Sequence, residues 1–79
     1  MKTSKLYLAA ALISLGAKLD LVDRTNPRRM EFVLSFSAPF VDEQKWINST
    51  VESWDKRELS VNAQDYVDAI QKLKVEVHQ

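Results

Sequence analysis

The chain of 79 residues contains no cysteine, one glycine, one histidine and two prolines. Without cysteine there is no disulfide, no zinc–thiolate site and no thiol chemistry. The lone glycine, Gly16, excludes a glycine-rich phosphate cradle of the P-loop or dinucleotide kind. The lone histidine, His78, leaves neither a catalytic triad nor a two-histidine metal site within one chain, and next to the terminus it reads as a solvated tail residue. Net charge is lacking as well, because 11 basic residues balance 11 acidic ones. The chain as a whole therefore has no cationic excess with which to neutralise nucleic-acid phosphates. These absences lead to the expectation of a protein that is not an enzyme and carries no cofactor and no metal.

What is present suits a small globular domain. Apolar residues make up 46% of the chain, enough to offset the entropy of ordering, so disorder is not expected. Residues 1–79 are read as one domain, near the lower size limit for a single core without disulfide or metal support. The balanced charge is unevenly spread. Residues 1–31 hold six cations (Lys2, Lys5, Lys18, Arg24, Arg28, Arg29) against three anions, whereas residues 32–61 hold five anions against three cations.

The opening Met1-Lys2-Thr3-Ser4-Lys5 followed by an apolar run from Leu6 to Leu15 has the look of a secretory signal, with Ser14 and Gly16 at a small-residue position. The run is too short to span a bilayer, and a buried helix is the preferred reading. A cytoplasmic location and no membrane contact are expected. The helix should run from about Ser4 to Leu15, capped by Thr3 or Ser4 and ended by Gly16 in the left-handed conformation. Leu6, Ala10 and Ile13 form one stripe while Leu8, Leu12 and Leu15 fill the opposite side, so the helix must be buried nearly all round. One small hairpin and two helices should leave one side open, which suggests pairing with a second copy as a homodimer.

Further along, Lys18–Asp23 alternates polar and apolar residues, placing Leu19 and Leu21 on one face of a strand. Thr25-Asn26-Pro27-Arg28 reads as a turn. Met30, Phe32, Leu34 and Phe36 then repeat with period two, opposite Glu31, Ser35 and Ser37, which predicts an antiparallel hairpin of Leu19–Val22 with Met30–Phe36. After Ala38-Pro39 the period becomes helical, and from about Asp42 to Trp54 an inward stripe of Ile47, Val51 and Trp54 is expected. Leu59–Val61 is read as a short third strand or an extended approach to the last helix. Asn62 caps that helix, with Ala63, Tyr66, Ile70, Leu73 and Val77 inward and Val67 beside them. The fold class is α+β: helix, strand, strand, helix, short strand or extension, helix, with an antiparallel hairpin packed on helices.

The residues Leu6-Tyr7-Leu8-Ala9-Ala10, Leu12, Gly16-Ala17-Lys18-Leu19, Phe32-Val33-Leu34-Ser35-Phe36, Trp54, Val61-Asn62-Ala63, Tyr66 and Leu73-Lys74 together give a pattern that resembles a family of short phage, prophage and bacterial proteins known only as a domain of unknown function. The resemblance spans almost the whole chain and rests on core positions. It implies a phage-associated or bacterial origin and assigns no activity and no functional residue.

Two groups of residues stand out as candidates for binding. Arg24, Arg28 and Arg29 gather around a turn stiffened by Pro27, where guanidinium groups suit bidentate recognition of phosphates or carboxylates. Asp23 and Glu31 absorb part of that charge. Trp46 lies off the Ile47–Val51–Trp54 stripe, beside Asp42, Glu43, Thr50 and Ser53, as an interface anchor would. The carboxylate pairs Asp42–Glu43 and Asp65–Asp68 fall in first turns of helices, where they complement the helix dipole rather than serve acid–base chemistry. The preferred function is a small protein-interaction module, a phage or prophage accessory or modulator protein whose partner is another protein contacted through Trp46. The alternative is a nucleic-acid-binding accessory protein using the Arg24–Arg29 tip.

Overall fold

A computed structural model describes residues 1–26 and 28–78. Among them the chain forms β1 (Lys2–Thr3), α1 (Leu6–Ser14), β2 (Lys18–Asp23), β3 (Glu31–Ser35), α2 (Glu43–Asp55) and α3 (Ala63–Val77). The sheet is antiparallel, with order β1-β3-β2. The α+β class and the hairpin are as the periodicity predicts. The third strand is not at Leu59–Val61, which is irregular and only leads into α3. It lies instead at the start of the chain, where Thr3 pairs with Phe32 and Lys2 with Val33. Met1 continues the ladder, its amino group donating to Leu34 O at 3.0 Å and its carbonyl accepting from Leu34 N at 2.8 Å. A two-residue strand has no period to read, which is why the sequence pattern missed it.

With Thr3 in the sheet, α1 starts at Leu6 and its N-cap is Lys5, which offers no side-chain cap; Thr3 Oγ1 instead accepts the Lys5 N–H at 3.1 Å. At the other end Gly16 adopts φ +112°. Its N–H donates to Ile13 O and that of Ala17 to Leu12 O, both at 3.0 Å. This is the Schellman arrangement, and the left-handed φ accounts for glycine here. Leu8, Ala9, Ala10, Ala11 and Leu12 are all buried, so the apolar run is the centre of the core. The alanines let α3 approach closely, and α3 makes the most extensive contact with α1. Leu8 and Leu12 are therefore covered within the chain, and only Tyr7 and Leu15 stay exposed. Of the side expected to face a second copy, Leu8 and Leu12 are covered within the chain and Leu15 stays exposed.

The hairpin register departs from simple alternation. Leu19 faces Leu34, but Leu21 faces Val33, so Asp20 is an extra residue in β2. Such a bulge reverses the facing of all that follows. Leu19 and Val22, not Leu19 and Leu21, turn inward beside the buried Leu34 and Phe32, and Leu21 is left 54% exposed. On the outer face Lys2 reaches across β3 to Asp23 at 2.9 Å, and Ser35 Oγ donates to Asp20 Oδ1 at 3.0 Å. Helix α3 is rotated slightly from the expected phase, with Ala69 buried next to Leu73 and Val67 half exposed. Among the described residues no helix is long and apolar enough to cross a membrane.

Phe32 (3% exposed) and Leu34 (2%) anchor the inner face of the middle strand. Phe32→Ala should cost about 3–5 kcal/mol, against a total of roughly 5 kcal/mol for so short a chain. The variant should be largely unfolded by circular dichroism at 25 °C; a melting temperature within a few degrees of wild type would contradict this core.

The Asp23 carboxyl is held well below the usual range by hydrogen bonding from Thr25 and then from Lys2, and the same pair raises Lys2. A depressed folded pKa adds stability above the ordinary carboxylate value near pH 4, which fades as pH falls through the folded value. The raised Lys2 adds stability that is full below about pH 10 and fades as pH rises through its own folded value. Asp23→Asn should therefore be less stable than wild type at pH 7, with a gap that narrows steadily below about pH 4. Thermal melts giving the same gap at pH 7 and at low pH would refute this.

Candidate functional site

Between β3 and α2 the chain makes a loop whose tip is aromatic. The Val41 N–H donates to Ala38 O at 3.3 Å, closing a turn over residues 38–41. Pro39 sits in the second position of that turn, which its ring favours. Phe40 sits in the third, with φ +65°, where glycine or asparagine is the usual occupant. A left-handed phenylalanine costs roughly 1–2 kcal/mol. Its ring recovers nothing from the core, because Phe40 is 108% exposed, and Val41 beside it is 45% exposed. A strained backbone that displays a large apolar side chain to water is unfavourable for folding alone.

The neck of this loop is firmly closed. The rings of Phe36 and Trp46 stack with centroids 3.8 Å apart and planes within 4°. The Phe36 N–H donates to Glu43 Oε2 at 3.2 Å, and Asp42 caps α2 by accepting the Lys45 N–H at 3.0 Å. Thr50 Oγ1 donates to Trp46 O at 2.7 Å, which fixes the helix turn beneath the stack. Glu43 thus serves the loop and Asp42 the helix cap.

Trp46 is accordingly not on a polar face. It is half-buried and packs against the core, and Thr50, expected beside it in solvent, is buried. The inward stripe of α2 is Trp46, Ile47, Thr50, Val51 and Trp54, broader than the Ile47–Val51–Trp54 line. A buried threonine that bonds its own helix counts as apolar surface, which the sequence pattern treats as polar.

The arginine tip also divides. Pro27 lies outside the described residues, but the flanking turns are formed by the Thr25 N–H donating to Asp23 Oδ1 (2.9 Å) and the Arg28 N–H donating to Asn26 Oδ1 (3.0 Å). Arg24 donates to Glu76 O in the last turn of α3, where a cation suits the helix dipole. Arg29 Nε donates to Ser4 Oγ at 3.2 Å. Arg24 and Arg29 therefore tie the hairpin to the end of α3 and to the start of α1, and Arg28 is exposed. His78 is the exposed C-cap of α3.

The sequence pattern passed over Phe40 because it falls between a strand and a helix, in no periodic run. The available signal was an aromatic directly after proline, in the turn position that glycine usually takes. Comparison with protein-family models, with curated proteins and with solved structures gave no match to this chain.

The two aromatic roles make opposite predictions for stability. Phe40→Gly should raise it by about 1 kcal/mol by relieving the left-handed strain. Trp46→Ala should lower it by about 2 kcal/mol through lost packing and stacking. Denaturant titration measures both, and a Phe40→Gly variant clearly less stable than wild type would mean the ring is part of the core.

Proposed function

We propose that this protein is a small, non-enzymatic protein-interaction module, a phage or prophage accessory or modulator protein of the cytoplasm, whose contact element is the 36–43 loop with Phe40 as its anchor. The observation that carries this reading is the fully exposed Phe40 on a left-handed backbone. Strain of this kind clusters at functional sites, and Phe40, unlike the polar Arg57 that shares its left-handed φ after α2, displays an apolar ring. An aromatic on a backbone turn that is already closed loses less entropy on binding than one on an open loop, and burial of a single such ring contributes around 2 kcal/mol or more at an interface centre. Trp46 moves from anchor to positioning residue, since its ring supports Phe36 and hence the loop.

The nucleic-acid reading has less behind it. Two of the three arginines at the hairpin tip already make hydrogen bonds within the chain, Arg24 to the Glu76 carbonyl of α3 and Arg29 to Ser4 ahead of α1. Phosphate binding through such a tip would also weaken steeply with salt, as a contact centred on an apolar ring would not.

Affinity capture with tagged protein from the native host tests the proposal. A protein retained by wild type, lost with Phe40→Asp and kept with Arg28→Ala is the expected result, with the melting temperature of Phe40→Asp no lower than wild type. A partner captured equally by Phe40→Asp, or captured nucleic acid released by moderate salt, would overturn it.

A further inference from the structure

A second feature lies at the other end of β3. Leu6 at the start of α1, Met30 and Phe32 on the strand and Val77 in the last turn of α3 line a cleft of about 460 Å³, with Lys74 and His78 at its edge. The cleft is open on one side and its volume is on the scale needed to admit a phenylalanine ring from solvent. The surroundings are basic. Arg29 is bonded to Ser4 in the cleft wall, and Arg24 is bonded to the Glu76 carbonyl beside it. Glu31 pairs with Asp23 in the strand register and lies on the outer face of the sheet, leaving Glu76 as the nearby acidic side chain on α3.

The Phe40 loop has the opposite character. Its apolar tip is followed at once by Asp42 and Glu43. Loop and cleft stand at opposite ends of the same strand, one beyond Ser35 and the other around Met30, so one copy can present its loop where another presents its cleft. From this complementarity of shape and charge we infer that Phe40 of one copy docks in the Leu6–Met30–Val77 cleft of a second copy, head to tail. The inference rests on the loop reading above and names its partner.

The contact joins two different surfaces, each present once per copy, so it propagates or closes into a ring rather than stopping at a self-complementary pair. One ring in one cleft is a small interface, and such contacts are weak and concentration-dependent. Association should appear between about 10 µM and about 1 mM. The acidic loop and the basic rim also attract each other, so the association should weaken modestly as salt rises.

Sedimentation velocity on the full chain tests this. Wild type should show a weight-average mass that climbs with concentration. Phe40→Asp, which removes the plug, and Met30→Glu, which spoils the cleft, should each stay monomeric. Their equimolar mixture should form one-to-one heterodimers and nothing larger, because one variant keeps an intact cleft and the other an intact loop. If Met30→Glu fails to fold, Lys74→Glu on the exposed rim replaces it and should weaken association several-fold. A wild type that is monomeric throughout overturns the second copy as occupant; the loop reading itself is decided separately by the capture experiment above. Wild-type oligomers indifferent to both substitutions, or a mixture that stays monomeric, also overturn the inference.

Discussion

A helix with no polar side has to be enclosed, and in this protein that helix is α1. Its body offers Leu6, Leu8, Leu12, Ile13 and three consecutive alanines, with polar groups only on the exposed Tyr7 and on Ser14 before the cap. Every other element is placed by the need to cover it. The sheet takes one side through Phe32 and Leu34, α3 takes another through Ala69 and Leu73, and α2 contributes Trp46, Val51 and Trp54. The alanines set how near α3 comes, since they add no bulk to the contact. Even the two-residue strand β1 follows from this, because it leads directly into α1 and pins its start to the middle of the sheet.

That enclosure leaves the ends of β3 exposed, and the ends hold what is unusual about the molecule. At one end the chain must pass from the sheet to α2, and it does so through a closed neck. A parallel stack of Phe36 on Trp46 and the hydrogen bond from the Phe36 N–H to Glu43 hold the loop ends together, and Asp42 caps the helix that follows. At the other end the hairpin is tied down by Arg24 and Arg29. The contrast in charge between the ends continues the imbalance visible along the chain, with cations concentrated before residue 32 and anions after it.

Much of the fold was legible because long periodic segments report their own burial. The hairpin, α2 and α3 were found within a residue or two, and Gly16 marked the end of α1 correctly. Three features were not legible. The Asp20 bulge leaves no trace in the pattern, since Leu19-Asp20-Leu21 alternates correctly and only the pairing register shows that Leu21 faces out. Strand β1 is too short to carry a period. The rotation of α2 was hidden by Thr50, a polar residue satisfied by its own helix and buried. That rotation decides the candidate site, since it moves Trp46 inward while Phe40 stands fully exposed. Phe40 itself could be seen in the sequence but not interpreted there, because its meaning lies in its backbone conformation.

The central claim is that the 36–43 loop is held in one conformation before any partner arrives, and that the Phe36–Trp46 stack holds it. Backbone ¹⁵N relaxation of residues 37–42 in the free protein measures this directly. Wild type should give order parameters near 0.85, the value of rigid backbone, and Phe36→Ala should lower them toward 0.6. Values already below 0.6 in wild type would contradict the claim.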